Sequence, residues 1–148
     1  MNWIDQAVRR DREAKSREIL VAQELNAVWL DLKAAIDESV SYFRLVGGSD
    51  PTRITDGQPY VRTVSVTGAS GFRQGTIEIV PRANKIGAVY ECNLSSPIEQ
   101  PPRTLTIGTV EGKVCLLKGE DCIDVMRAAE YLLWPVLFPE LPEAVGQA

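Results

Sequence analysis

Apolar and polar positions in the first third of the chain follow a helical pattern over a great length. Residues 1–46 contain neither glycine nor proline, and Gly47 and Gly48 follow them. Because glycine commonly terminates helices, this run predicts one very long helix or two abutting ones. From Ile19 onward apolar residues recur at steps of three and four, as on one buried helix face. They are Ala22, Leu25, Trp29, Leu32, Ile36, Val40 and Phe43, flanked by Val21, Val28 and Ala35.

The first part of this predicted helix has a different pattern. It begins with an apolar tip formed by Trp3, Ile4, Ala7 and Val8. Residues 9–18 then carry five basic and three acidic side chains, and charges at i,i+4 spacing support a helix that contacts little else. An α-helix rises about 1.5 Å per residue. The whole helix would therefore be more than twice as long as the predicted strands, which have about eight residues each. Part of it is therefore predicted to be solvated, folded back or paired with another chain, and residues 1–18 are the part expected to project.

Alternation with a period of two in the middle of the chain predicts an antiparallel sheet. The five predicted strands are residues 60–67, 72–80, 86–94, 103–109 and 113–118, joined in chain order as a meander. Four turns set the register, through the pairs Thr67–Phe72, Pro81–Ile86, Leu94–Arg103 and Val110–Lys113. The four registers agree with one another, because a slip of one residue at any turn would divide the apolar side chains between two faces.

The predicted sheet has one apolar and one polar face. The apolar face collects Val64, Val66, Ile77, Ile79, Ile86, Ala88, Tyr90, Cys92, Leu94, Leu105, Ile107, Val114 and Leu116. Arg62, Arg73 and Arg103 fall on the same face near strand ends, where we expect their heads to reach water. The opposite face is polar and predicted to be solvated. It carries Thr63, Ser65, Thr67, Gln74, Thr76, Glu78, Glu91, Asn93, Thr104 and Thr106.

A second helix is predicted after the sheet. Asp121 is its expected cap, Asp124 lies in its first turn, and Pro135 is expected to end it. Its inner stripe comprises Cys122, Val125, Met126, Ala129, Leu132 and Leu133. The apolar, proline-rich segment 136–141 is expected to dock as an extended strap. The predicted fold is a single α+β domain, residues 1–148, in which a long N-terminal helix and a C-terminal helix pack on one face of a five-stranded antiparallel meander.

Composition narrows the chemistry. The chain has no histidine, which removes Ser-His-Asp and Cys-His nucleophiles and imidazole metal sites. Its three cysteines are an odd number without CxxC spacing, so neither a disulfide framework nor a zinc site is predicted. A net charge of −4 argues against a surface-wide nucleic-acid binder. No apolar run approaches a membrane span and no signal-peptide plan opens the chain, so we expect a cytoplasmic protein without metal or cofactor.

Two local constellations have both a functional and a structural interpretation. Glu78 and Glu91 are predicted to lie diagonally on neighbouring strands of the polar face, where the predicted register sets Glu91 opposite Thr76. A carboxylate pair can perform acid–base or glycosidic chemistry. Two solvated glutamates are the commoner explanation. Five basic residues on the long helix could contact phosphate, but acids interleave them and no aromatic residue among them could stack a base, so a solvated face is favoured. They are Arg9, Arg10, Arg12, Lys15 and Arg17. The polar loop 50–59 could bind a ligand, but its residues do not indicate which one.

We therefore predict a non-catalytic cytoplasmic protein-interaction module, adaptor or chaperone-like, that self-associates as a homodimer or higher oligomer, or binds another protein. The predicted interaction residues lie at the start of the long helix and are Trp3, Ile4, Ala7, Val8, Arg9 and Arg12. One alternative is a module for a small apolar ligand, held where Gly75 and Ala88 leave room between helices and sheet. The other is a carboxylate-based enzyme on the polar face.

Overall fold

The computed structural model describes residues 2–46, 52–55, 60–68, 71–81, 90–95, 103–139 and 141. Its two helices are α1 (Trp3–Val46) and α2 (Val125–Leu137). The strands between them are β1 (Thr52–Thr55), β2 (Val61–Gly68), β3 (Gly71–Pro81), β4 (Tyr90–Ser95), β5 (Arg103–Val110), β6 (Lys113–Lys118) and β7 (Asp121–Ile123). Both helices share one apolar core with the sheet. The predicted α+β fold is confirmed.

The long helix is a single continuous element. α1 runs for 44 residues, and its start is capped because the Asp5 backbone N–H donates to Asn2 Oδ1 at 3.0 Å. The predicted apolar stripe packs as expected, with Val28 and Phe43 partly buried at its margin. Its buried members are Val21, Leu25, Trp29, Leu32, Ala35, Ile36 and Val40. Ala22 was wrongly assigned to the stripe. It is exposed, because the neighbouring Val21 occupies the core-facing position of that turn.

The sheet within the described residues has seven strands in sequence order, all antiparallel. The five predicted strands form its centre, and a short strand adds to each edge. β1 comes from the segment that was predicted to be a polar loop, and it pairs Thr52 with Val66 on β2. β7 comes from the segment predicted to start the second helix, and it pairs Cys122 with Leu117 on β6. Both additions extend the meander without changing its order.

Three of the four predicted registers are correct, and the fourth is wrong. Pro81 pairs with Tyr90, four residues beyond the predicted partner Ile86. An even shift keeps every side chain on its predicted face, because strand side chains alternate with a period of two. The prediction failed here because the alternation fixes only which face a side chain occupies, and both pairings give the same faces. Residues 82–89, which include Ile86 and Ala88, lie outside the described part of the chain.

Two arginines on the apolar face bind the helices, contrary to the prediction that their heads reach water. Arg62 NH2 donates to the Asp37 carboxylate on α1 at 2.6 Å. Arg103 NH1 donates to the Tyr131 carbonyl on α2 at 2.9 Å, and its guanidinium lies 4.8 Å from the centre of the Tyr131 ring. The helices cover the strand ends and offer oxygen acceptors there, which a sheet considered alone does not show.

Arg73 and Gly75 hold α2 close to the sheet. Arg73 is buried, also contrary to prediction, and its Nε donates to the Val136 carbonyl at 3.0 Å. A Cβ added at Gly75 would collide with the Val136 side chain and come within 2.9 Å of Leu94. The glycine therefore admits the helix rather than a ligand, because α2 fills the room that was predicted at this position.

The second helix begins later than predicted. Its N-cap is Asp124, whose side chain accepts from the Arg127 N–H at 2.8 Å, and Asp121 lies in β7. Cys122 therefore belongs to the edge strand and not to the inner stripe of the helix, and Met126 is exposed. Asp121 does not cap the helix, because the hydrogen bonds of β7 to β6 hold residues 121–123 in extended backbone.

Pro135 does not end α2, and the two residues that follow it are helical and not part of an extended strap. The helix continues to Leu137, and Val136 and Leu137 are buried in the core. The Phe138 N–H closes the helix on the Trp134 carbonyl at 2.8 Å. Proline costs an interior helix one hydrogen bond, and here the burial of the two residues after it outweighs that loss.

Candidate interaction surfaces

The apolar tip of α1 is exposed. The exposed fractions are 76% for Trp3, 50% for Ile4 and 43% for Val8, and Ala7 is exposed as well. Helical spacing places Trp3 and Ala7 on the side of α1 that carries the buried Ala14. The core-facing side of the helix therefore loses its cover between Ala14 and Ala7, and the tip presents in water the residue types that this side buries further along.

The charged segment behind the tip is solvated. Arg9 and Arg12 are exposed, and Lys15 pairs with Asp11 at 2.8 Å while both side chains stay more than half exposed. The hydrogen bond from Lys15 to Asp11, together with the negative charge of that carboxylate, raises the pKa of Lys15. Ala14 is an exception to the predicted lack of contact, because it is buried. This segment, residues 9–18, continues α1 between the tip and the packed part of the helix, and we call it the spacer.

A second surface was missed by the sequence analysis. An open groove of about 480 Å³ runs between the C-terminal part of α1 and α2. It is lined by Glu38, Ser39, Tyr42, Phe43, Val46, Met126, Glu130, Leu133, Trp134, Leu137 and Phe138. We call this set the interhelical groove. Its signal was present as exposed apolar positions at steps of four on both helices, but only the packing of α2 beside α1 shows that the two rows face one another.

Aromatic side chains form one end of the interhelical groove. Phe43 meets Phe138 edge-on with ring centres 5.4 Å apart, and Trp134 lies 5.1 Å from Phe138. The Trp134 indole N–H donates to the Leu141 carbonyl at 2.8 Å, which fixes the orientation of the ring. Tyr42 on the opposite wall remains 64% exposed. Packed aromatic rings therefore line the groove, as is common in ligand and partner sites.

The polar sheet face places its two candidate carboxylates diagonally, as predicted, but not opposite the predicted neighbours. Glu78 pairs with Asn93, and Glu91 pairs with Val80, so the two carboxylates stand diagonally on neighbouring strands. Glu91 was predicted to face Thr76, which is wrong because of the shifted β3–β4 register. Thr76 instead shares a hydroxyl contact of 3.2 Å with Thr63.

Asn93 and Cys92 are adjacent on β4, and each has a buried side-chain atom that could take part in chemistry. Asn93 Oδ1 is buried without a hydrogen-bond partner. It lies next to Glu78 in the register, but one amide oxygen defines no reaction. Cys92 faces the core, and burial raises the pKa of its thiol to about 12. A thiol so far from ionisation is a packing residue and not a nucleophile.

Of the remaining cysteines, Cys122 lies on the edge strand β7 and Cys115 on the neighbouring strand β6. Burial, followed by hydrogen bonding to Cys122 and the charge of that thiolate, raises the pKa of Cys115 to about 11. Cys122 itself is exposed. Within the described part of the chain, no three Cys, Asp or Glu side chains stand close enough to hold a metal ion. None of the described helices combines the length and apolar character that crossing a membrane requires.

No protein-family model, curated protein or solved structure matches this chain. The features of the molecule that bear on its function are therefore the tip, the spacer and the interhelical groove.

Proposed function

We propose that the chain is a non-catalytic protein-interaction module, adaptor or chaperone-like, that acts in the cytoplasm and self-associates through the N-terminal part of α1. The observation that carries this proposal is the exposure of Trp3, Ile4 and Val8 on a solvated helical spacer. The charged spacer keeps the helix soluble and straight, while the tip offers apolar area that has no cover in a single copy.

Physical chemistry explains why such a tip favours association. Burying a large apolar side chain stabilises a contact by about 1.5–3 kcal/mol relative to leaving it in water. Tryptophan is enriched among the residues that dominate binding energy at interfaces. Trp3 with its neighbour Ile4 is therefore an anchor of the kind that a protein interface uses, and the adjacent Arg9 and Arg12 supply charge at its rim.

The test compares tip variants with a matched control on the same helix. Trp3→Asp and Val8→Asp should shift the full-length protein from dimer to monomer in sedimentation velocity over a range of concentrations. Ile19→Asp is the control, because Ile19 is exposed to a similar degree, at 59%, but lies outside the tip. A monomeric wild type, or an equal loss of dimer in the control, would refute self-association through the tip.

A second candidate function is the binding of a small apolar ligand. The predicted room at Gly75 is filled by Val136, but the interhelical groove provides an apolar site of a volume that suits small ligands. Native mass spectrometry of the purified protein tests this candidate, because a carried ligand adds mass that denaturation removes. The carboxylate-based enzyme stays a prediction without further support from the diagonal placement of Glu78 and Glu91.

A further inference from the structure

We propose that the interhelical groove is the receptor for the apolar tip of a second copy of this chain, so that two copies exchange tips in a closed antiparallel dimer. This inference rests on the proposed self-association and adds the surface to which the tip binds. It accounts for two exposed apolar surfaces by one contact that occurs twice.

The shapes of the two surfaces correspond. The tip offers two apolar pairs at i,i+4, Trp3 with Ala7 and Ile4 with Val8, which is the anchor spacing of a helix that binds in a groove. The interhelical groove is open and is walled by two helices. Its aromatic end, where Trp134 meets Phe138, is suited to an indole ring.

Charge along α1 selects the direction of pairing. A column of residues at steps of seven is exposed along the whole helix, and seven-residue steps stay on one side when two helices coil around each other. The column reads Trp3, Arg10, Arg17, Glu24, Asp31, Glu38 and Leu45. Its N-terminal part is basic and its C-terminal part is acidic. A parallel pairing would place like charges together, whereas an antiparallel pairing places opposite charges together.

One register satisfies both the charges and the tip. If the two α1 helices run antiparallel about Glu24, Arg10 of one copy faces Glu38 of the other, and Arg17 faces Asp31. The same register sets Trp3 beside Leu45, at the end of the partner's helix where the groove residues Tyr42 and Val46 lie. Glu130 on α2 adds a second acid to this receptor surface.

Reciprocity makes the assembly finite. Each copy contributes one tip and one groove, and a two-fold axis at Glu24 relates the two contacts, so no surface is left open for a further copy. The cost of this arrangement is the approach of the two Glu24 carboxylates at the axis. That like-charge contact gives the register its own signature, because neutralising Glu24 should strengthen the dimer.

The experiment mixes a tip variant with a groove variant, both full-length. Trp3→Asp has an intact groove, and Tyr42→Asp has an intact tip and changes a residue exposed enough to leave the core unaltered. Each alone should dimerise about tenfold more weakly or worse, as for loss of an interface anchor. Their mixture should regain a one-to-one complex, because one tip and one groove remain functional. Leu30→Asp is the matched control and should dimerise like wild type, since Leu30 is exposed and lies about 100° around α1 from Asp31, outside the charged column.

The outcomes separate the two proposals. If Trp3→Asp keeps the wild-type dimer, self-association through the tip is refuted. If Trp3→Asp loses the dimer but Tyr42→Asp keeps it, the tip still mediates association, and its binding to the interhelical groove is refuted. A wild type that is monomeric and carries a ligand lost in Tyr42→Asp would refute both and assign the groove to that ligand.

Charge variants test the register without touching apolar residues. Arg10→Glu and Glu38→Arg should each weaken the dimer, and the double variant should recover it, because the pair is restored between copies. Glu24→Gln should tighten the dimer by about twofold or more, in the range of removing one exposed like-charge contact. No recovery in the double variant, together with no gain in Glu24→Gln, would overturn the antiparallel register. Circular dichroism of each variant confirms that α1 remains helical.

Discussion

The two parts of α1 have the same backbone and opposite environments. Residues 21–46 bury seven side chains against the sheet and α2, whereas residues 3–20 bury only Ala14. The helix is continuous across both parts. In α1 the absence of glycine and proline therefore sets the length of the helix, while the period of its apolar residues sets how much of it packs. Where a helix extends beyond its apolar stripe, it presents a surface that another molecule can bind.

The largest expected effect lies in the packed part. Ile36→Ala should lower the free energy of unfolding by about 2–5 kcal/mol, because it removes buried methylenes and leaves a cavity. Leu30→Ala, on the same helix but 52% exposed, should cost less than about 1 kcal/mol. Urea melts of both variants measure the difference. Equal costs in the free energy of unfolding would show that the two sides of α1 do not differ in how they pack.

The next largest effect concerns the contact between Gly75 on β3 and Val136 on α2. Gly75→Ala should destabilise the protein by about 1–3 kcal/mol, because the added methyl overlaps Val136. Val136→Ala alone should also destabilise it by leaving a cavity. In the double variant the methyl at residue 75 fills that cavity, so the two costs should sum to more than the measured loss. Strict additivity would show that α2 does not contact Gly75.

Most of the fold could be predicted because its signals are periodic. The stripe on α1 and the alternation of the strands need only local sequence, and even the shifted β3–β4 register preserved both faces, since four residues is an even number. The helix start at Asp124 and the passage of α2 through Pro135 could not be predicted. Both depend on tertiary contacts, with the edge of the sheet in one case and with the core in the other.

The candidate site divides in the same way. The tip is visible in sequence because apolar Trp3 and Ile4 stand next to a charged segment. The interhelical groove is not visible, because it exists only where Tyr42 and Met126, distant in the chain, flank the same gap. The arginines Arg62 and Arg73 were likewise misplaced, since sequence patterns assign a face to a side chain but do not locate its acceptors.

A pH titration sharpens the contrast between core and surface. The pKa of Cys92 is raised to about 12 when folded, against about 8.5 in an unfolded chain. The unfolded thiol thus loses its proton first, so the stabilisation is complete below about pH 8.5 and falls as pH rises toward the folded value. From pH 8 to 9.5, wild type should lose about 1 kcal/mol more than Cys92→Ala in urea melts. Identical losses would show that Cys92 is accessible to solvent.

The smallest effects are expected in the projecting part. Glu13→Ala should change the free energy of unfolding by no more than about 0.5 kcal/mol, as for ordinary surface positions. The side chain is exposed, and alanine preserves helix propensity. Thermal melts at a fixed protein concentration measure this. A loss several times larger would mean that the spacer packs against the monomer.

Deletion of residues 1–18 tests whether the projecting part of α1 serves association and not folding. Light scattering and a thermal melt, run in parallel on the full chain and on residues 19–148, give the two readouts. The account predicts a dimer for the full chain and a folded monomer for the truncated one. It also predicts a melting temperature of the truncated protein that matches that of Trp3→Asp. A full chain that is monomeric throughout, with a truncated form that melts several degrees lower than that variant, would contradict the account and return the tip to the core.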